Sequence, residues 1–367
     1  MIRNIKRIAL ATSFLAVSAV AALAQAPVPE GYPQEYAEII AKAEKEGKLS
    51  LHSNMQSGTW KPILEGFNKR YPFIEVEALN FEDEMFERYL AEKAAGGAPA
   101  DVMVTSSIGK WVEFAKRGEV AQYVSPETAN LPEWAQPLPG VYAVSADPYV
   151  IAYNKMTIPA DKHPNSVADV VTYLKENPGA TATTYDPLRG ANGHASWSAW
   201  LEATGENGWA MADAMGPQLR GETAGAQMLD KVMVGEYSVA VFLAMNAVKR
   251  ILEKPGASDI LAYSFATDGT PIVPRGGAIT EGAAHPNAAR LFMDYLLSEE
   301  GQTALAQSLT PVRSDIADEI IVRGRKYDAI AAEIGEENII RVPYDESAYT
   351  NYDAFVERWK KAQAGGK

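Results

Sequence analysis

The stretch Lys48–Pro72, KLSLHSNMQSGTWKPILEGFNKRYP, carries a strand pattern, a polar elbow and a helix pattern in one uninterrupted run. A chain assembled from such units is committed to alternating strands and helices. Leu49 and Leu51 alternate with polar neighbours, and the run from Ser53 and Asn54 through Ser57, Gly58 and Thr59 then breaks the alternation with hydrogen-bonding residues. Trp60, Ile63, Leu64 and Phe67 recur at helical spacing, Pro62 falls in the predicted first turn, and Tyr71-Pro72 ends the pattern. A helix rising from a strand's carboxyl end gathers unpaired N–H groups and the positive end of its dipole. Beside Ser and Asn side chains this suits a carboxylate, a phosphate or another anionic oxygen. A plainer role stays open here, with Ser57 or Thr59 serving only as an N-cap.

The unit recurs. Phe73–Leu79 alternates as a second strand, Asp83–Ala95 reads as a helix, and Ala100–Thr105 reads as a buried strand leading into Ser106-Ser107 and a helix over 109–116. Tyr142–Tyr153 is a long strand-like run interrupted by Pro148, which suits a segment crossing between lobes with a hinge at the proline. A third unit follows as strand Ala182–Tyr185, elbow Asp186–His194 and helix Ala195–Thr204, and a fourth as the apolar strand Tyr237–Ala244 ending in Met245-Asn246. Short strands are predicted at 261–263, 271–273 and 274–279, then a helix from His285-Pro286 to Glu299. The tail is helical and carries Tyr344, Tyr349, Tyr352 and Trp359. Alternation of this kind implies parallel strands whose carboxyl ends line a ligand crevice.

At 367 residues the chain has room for two domains, and 47% hydrophobic with 22% charged residues is a soluble globular composition. Arg3, Lys6 and Arg7, the apolar run Ile8–Ala22 and the small residues Ala22-Leu23-Ala24 read as a cleaved secretory signal over 1–24. Cysteine is absent from the sequence, which excludes a disulfide framework and a lipid-attachment cysteine. Without the three basic residues of the signal, 31 basic residues stand against 47 acidic ones, a formal charge of −16. Such a surface repels phosphate backbones, so nucleic acid is not an expected partner.

Several enzyme classes lack their parts, since the sequence contains no GxxxxGK[ST], no GxGxxG after a strand, no GxSxG and no HExxH. The histidines at 52, 163, 194 and 285 form no i, i+4 pair for a metal, and His52 reads as a packed residue. Arg189, in a Gly- and Asn-rich elbow, can clamp an anion with two parallel hydrogen bonds or pair with Asp186. His194 can touch a ligand or bond the helix start, and Arg275, before Gly276-Gly277, has a weaker claim than Arg189 to an anion, with bracing of the returning strands as the alternative. Trp60, Tyr149 and Trp197 can stack on a ligand ring or belong to the core.

Several segments together resemble the extracellular solute-binding proteins of ABC importers, closest to the ferric-iron and organic-anion branch. These are the opening Leu51–Phe67, Ala98-Pro-Ala-Asp-Val-Met-Val104, the strand end Tyr153-Asn154-Lys155 and the block from Gly269 to Gln302. The resemblance implies an α/β, type II two-lobe periplasmic binding protein fold, each lobe a mixed sheet flanked by helices. The expected division is an N-terminal lobe of 25–145 plus 264–311 and a C-terminal lobe of 146–263 plus 312–367. It further implies a monomeric, non-enzymatic periplasmic protein without cofactor, whose partners are a small-molecule solute and an inner-membrane ABC permease with its ATPase.

Ferric-binding members carry adjacent tyrosines where this chain has Met245-Asn246, and an acidic residue near Ser106-Ser107. Ferric ion wants phenolate and carboxylate oxygens, so these departures argue against iron. Members that take sugar phosphates, phosphonates or carboxylates use Ser- and Thr-rich elbows. The matching set here is Ser53, Asn54, Ser57, Gly58, Thr59, Ser106, Ser107, Asp186, Arg189, Asn192, His194, Met245 and Asn246, with Trp60 and Tyr149 as stacking candidates. The alternatives are a ferric-ion binder, a polyamine binder using Asp186 between aromatic rings, and an exported lyase or hydrolase using His194 and Asp186.

Overall fold

The computed structural model describes residues 26–81, 84–346 and 351–366. The expected signal segment, the predicted helix start at Asp83 and Tyr349 of the tail lie outside them. Helix α1 (Tyr36–Glu46) is ended by Gly47 in the left-handed region, and the chain turns directly into β1 (Lys48–Ser53). Then follow α2 (Ser57–Arg70), β2 (Glu75–Asn80), α3 (Glu84–Ala94), β3 (Val102–Thr105), α4 (Ile108–Lys116) and the long β4 (Val141–Asn154). The middle of the chain supplies α5 (Val167–Glu176), β5 (Ala182–Tyr185), α6 (Ala191–Met215, broken at Gly205), β6 (Leu219–Glu222), α7 (Gly225–Met233), β7 (Val239–Ala244) and α8 (Met245–Leu252). The rest is α9 (Ala257–Ile260), β8 (Leu261–Ser264), β9 (Thr270–Ile279), α10 (Pro286–Leu297), α11 (Glu299–Leu305), α12 (Tyr327–Ile334), β10 (Ile339–Arg341) and α13 (Tyr352–Gln363).

The strands run in the order β2-β1-β3-β9-β4-β7-β5-β6, with β10 on β9 and β8 on β4. Two parallel triplets, β2-β1-β3 and β7-β5-β6, are joined through the antiparallel pair β9 and β4, so each half is a mixed sheet. β4 is buried along its whole length and is not interrupted at Pro148. Up to Pro148, opposite Ile272, it pairs with β9; from Tyr149, opposite Ala244, it pairs with β7. The proline thus falls where the strand changes partner, and its missing N–H removes a ladder bond at one position only. β9 is likewise one ten-residue strand and not the two short ones that Pro271 and Pro274 suggested.

Burial organises the helices around these sheets. Ile40, Leu51, Ile63, Phe67, Val104, Phe292 and Leu296 form a core on one face of the first half. Met85, Tyr89, Met103, Trp111 and Phe114 form another on the opposite face. The second half is built on Val150, Ile151, Trp197, Trp200, Phe242 and Leu243, and each such side chain contributes about 1.5–3 kcal/mol when fully buried. α13 brings Trp359 to 4.8 Å from Trp197, so the aromatic tail docks on the second half. Among the described residues no helix is long and apolar enough to cross a membrane.

The opening unit is realised with one change. α2 begins at Ser57, so Pro62 sits in the second turn and not the first, where its ring leaves the carbonyl of Gly58 without the usual i+4 donor.

Candidate functional site

β1, β3, β5 and β7 all end at one crevice, and each is followed within a few residues by a helix: α2, α4, α6 and α8. None of these four helices has a side-chain cap at its N-cap residue, which is Gln56, Ser107, Gly190 and Ala244 in turn. Uncapped starts also occur away from the crevice, as at Glu35 and His285, whereas Ser166 accepts from Asp169 N at 3.0 Å and Ser298 from Gly301 N at 3.2 Å. Ser57 is therefore the first helical residue and not a cap, and the amides of Ser57 and Gly58 have no acceptor among the described residues. The same is true of Ala191 and Asn192 at the start of α6. These are the donors that an anionic or hydroxyl oxygen seeks.

Gly193 is what allows α6 to begin so close to the strand end. A β-carbon there would lie 2.7 Å from the carbonyl oxygen of Tyr185. The helix consequently starts at Ala191, earlier than the apolar pattern alone suggested, and brings Asn192 into the crevice.

The base of the crevice lies where β4 and β9 cross between the halves. Arg275, on β9, has a side chain only 13% exposed; its Nη1 donates to Asn54 Oδ1, and its Nε lies 3.8 Å from Asp147 Oδ2. That Nε is buried without a hydrogen-bond partner, and Nη2 has none among the described residues. Asp147 is held by Thr310 N at 3.1 Å and by the Ser145 hydroxyl at 2.8 Å. Burial raises its pKa above the usual carboxylate range, and the neighbouring guanidinium opposes that shift. Tyr149, two residues on, is buried with its ring 6.0 Å from that of Tyr185, and its hydroxyl bonds to no described residue. Burial, then the neighbouring Tyr185, holds that phenol well above its ordinary pKa, so it remains a neutral donor.

A chain of hydrogen bonds runs outward from Arg275. The guanidinium donates to Asn54 Oδ1, Asn54 Nδ2 donates to Ser106 Oγ at 3.2 Å, and the Ser106 hydroxyl donates to Asn192 Oδ1 at 2.7 Å. The last of these joins the two halves, as does Arg250 Nη1 donating to Gln56 Oε1 at 2.6 Å. Outside this chain, a cavity of about 570 Å³ opens between the first turn of α4 and the elbow of α6, lined among others by Ser107, Lys110, Arg189, His194 and Ser198.

The structure sorts the predicted residues. Asn54, Ser106, Asn192 and Tyr149 meet at the base, and Ser107, Arg189 and His194 line the outer cavity. Gly58 and Ser57 are exposed at the start of α2, with Thr59 half-buried behind them. Ser53 is buried and accepts from Met55 N at 2.8 Å, so it shapes the elbow from within. Trp60 does not reach the crevice: it is packed in the first core, 5.9 Å from Phe292. Trp197 is likewise core, its indole N–H donating to Thr184 Oγ1 at 2.8 Å. Met245 is buried at the start of α8, and Asn246 beside it is half-buried.

Arg189 takes the local alternative. It is 58% exposed, donating from Nε to Asp186 Oδ2 at 2.5 Å and from Nη2 to Gly221 O at 3.0 Å. Asp186 also accepts from Leu188 N at 2.9 Å, while the His194 ring rests on Tyr352 and Phe355 at 5.0 and 4.9 Å. Sequence reasoning passed over Asp147 and ranked Arg275 below Arg189, leaving it out of the expected site. The available signal was a charged residue set in each of two otherwise buried strands.

Solved structures share this architecture. A substrate-binding protein of an ABC transporter from Agrobacterium tumefaciens superposes with a TM-score of 0.76 at 23% identity, covering 88% of this chain and 96% of that one. Iron-bound HitA from Pseudomonas aeruginosa does so with a TM-score of 0.67 at 18% identity, covering 86% and 99%. The periplasmic binding protein AfuA from Actinobacillus pleuropneumoniae, with fructose-6-phosphate bound, gives 0.67 at 17% identity and the same coverage. These are type II periplasmic binding proteins, and the present chain shares their fold. Matched over residues 52–303, the chain belongs to the family of bacterial extracellular solute-binding proteins.

Proposed function

We propose that the protein captures a small organic solute bearing an acid group and further oxygen functions, closes over it and delivers it to an inner-membrane ABC permease driven by its ATPase. The observation that carries this reading is the base of the crevice, where Arg275 Nε and Nη2 and the Tyr149 hydroxyl stand without hydrogen-bond partners among the described residues, beneath uncapped helix starts. Leaving such groups unsatisfied costs about 1–3 kcal/mol each, a cost that a ligand oxygen removes. On related folds HitA holds iron and AfuA holds a sugar phosphate, so the fold leaves the ligand open and the residues must choose. Hydroxyls, amides and one guanidinium favour an oxygen-rich anion (sugar phosphate, phosphonate or carboxylate) over a metal ion.

In this reading the lobes divide near Ala146 and Ser264 and move about the crossing strands β4 and β9. The solute touches both, so the closed state gains contacts that the open state lacks. The protein works as a periplasmic monomer, exported on its signal peptide, and performs no chemistry on its cargo. Native mass spectrometry of protein purified from the periplasm tests the reading. A retained organic acid, lost in Arg275→Gln, is the expected result; a coloured iron-loaded species, or turnover of the bound solute, overturns it.

A further inference from the structure

Apart from Arg250, which is exposed and bonded to Gln56, the cations named around the crevice are balanced in pairs. Arg275 faces Asp147 at 3.8 Å, Arg189 is held by Asp186 at 2.5 Å, and Lys110 bonds Glu87 at 2.6 Å. Of the three pairs only the first lies at the base, and its carboxylate is the more deeply buried partner, 8% exposed against 13%. Asp147 cannot turn away from Arg275 at small cost, because Thr310 N and the Ser145 hydroxyl fix both of its oxygens. An anion reaching Arg275 Nη2 therefore meets a guanidinium whose charge is already offset from behind. A single negative charge can be met by the polarised guanidinium edge, the phenol of Tyr149 and the helix starts. A second charge on the same group finds no further cation at the base among the described residues, since Arg250 is exposed at the rim and bonded to Gln56. Its repulsion by a carboxylate several ångströms away, in a crevice of reduced dielectric, lowers affinity by about tenfold or more.

We infer that Asp147 sets the charge class of the solute, so that the site takes a singly charged carboxylate and discriminates against the doubly charged phosphate ester of the same skeleton. The inference rests on the acid-binding reading above and narrows it. It makes Asp147 a specificity-determining residue that acts through Arg275 and does not itself touch the solute.

The test is isothermal titration of the full secreted chain at pH 8 with matched pairs: glycerate against glycerol 3-phosphate, and gluconate against glucose 6-phosphate. The expected result is that the wild-type protein prefers the carboxylate of the better-bound pair by about tenfold or more, the size of the added repulsion. Asp147→Asn should strengthen binding of the ester more than that of the carboxylate and so erase the preference, while Arg275→Gln should weaken both by about tenfold or more. Preference of the wild type for the ester, or an equal effect of Asp147→Asn on both partners, overturns the inference while leaving the acid-binding reading intact. Failure of every member of both pairs to bind the wild type overturns that reading itself. The wild-type ratio decides the matter alone if Asp147→Asn does not fold.

Discussion

The Ser106 hydroxyl donates to Asn192 Oδ1 at 2.7 Å, joining the end of β3 in one half of the molecule to the first turn of α6 in the other. Ser106 Oγ also accepts from Asn54 Nδ2, so this contact ends a relay that begins at Arg275. A neutral bond of this kind contributes about 0.5–1.5 kcal/mol, enough to bias the equilibrium between open and closed forms without fixing it. Ser106→Ala and Asn192→Ala should each lower solute affinity by a few-fold. The double mutant should be less than additive by about 0.5–1.5 kcal/mol, the coupling expected of one shared bond. Titration calorimetry on the four proteins closes the cycle, and additive losses would remove the bond from the closing mechanism.

Arg189 and Arg275 separate the two ways an arginine can sit near a site. Arg189 is largely exposed and spent on Asp186 and Gly221 O, so Arg189→Ala should change affinity by no more than about 1 kcal/mol, the range of an exposed ion pair. Arg275 is buried with open donors, so Arg275→Gln should cost about 1.5–3 kcal/mol of binding, as for a lost charged hydrogen bond. A side-by-side titration checks both, and a reversed order would move the anion site out to the elbow of α6.

The four strand-elbow-helix units were legible because each is local. Leu49 and Leu51 face a core, and the helical spacing of Trp60, Ile63 and Phe67 describes the buried face of α2. Asn54, Ser106 and Asn192 were legible for the same reason, lying in elbows that alternation places at one sheet edge. The charge pair was not. Asp147 and Arg275 come from strands distant in sequence that meet only when β4 and β9 pair, and nothing near either residue names its partner. Arg189 misled in the opposite way, because a guanidinium in a Gly-rich elbow looks like a clamp although its nearest carboxylate is three residues away. Trp60 was legible as core from that same spacing, and its ring packs on Phe292, so it is the stacking role that the structure does not bear out.

Asp294 gives the fold a pH dependence far from the crevice. Its carboxylate accepts from Tyr36, Tyr123 and Ser125 hydroxyls at 2.6 Å each, yet burial outweighs these bonds and lifts its pKa to about 6. The folded value lies above the unfolded one of 3.8, so the native state holds this proton more tightly. The group's contribution is fully present below about pH 4, declines as pH rises through about 6, and is flat above, a total on the order of 2–3 kcal/mol. Thermal melts of the wild type and of Asp294→Asn between pH 4 and 7.5 should show this decline only in the wild type. Parallel profiles would mean that another group carries it.

Gly193 is where packing and binding meet. Adding a methyl group there sets a β-carbon 2.7 Å from both the carbonyl oxygen of Tyr185 and the carbonyl carbon of Asp186, backbone atoms that no rotamer change can move aside. Alanine's better helix propensity returns at most about 1 kcal/mol, against about 1–3 kcal/mol for overpacking. The helix start must therefore lift away from β5, carrying Asn192 from Ser106 and the free amides of Ala191 and Asn192 out of the crevice. Gly193→Ala should thus lose affinity by more than Asn192→Ala does, with a stability loss of about 1–2 kcal/mol in chemical denaturation. If affinity is retained while stability falls, the start of α6 is only a wall of the crevice. If affinity falls further than in Asn192→Ala, its backbone amides are part of what holds the solute.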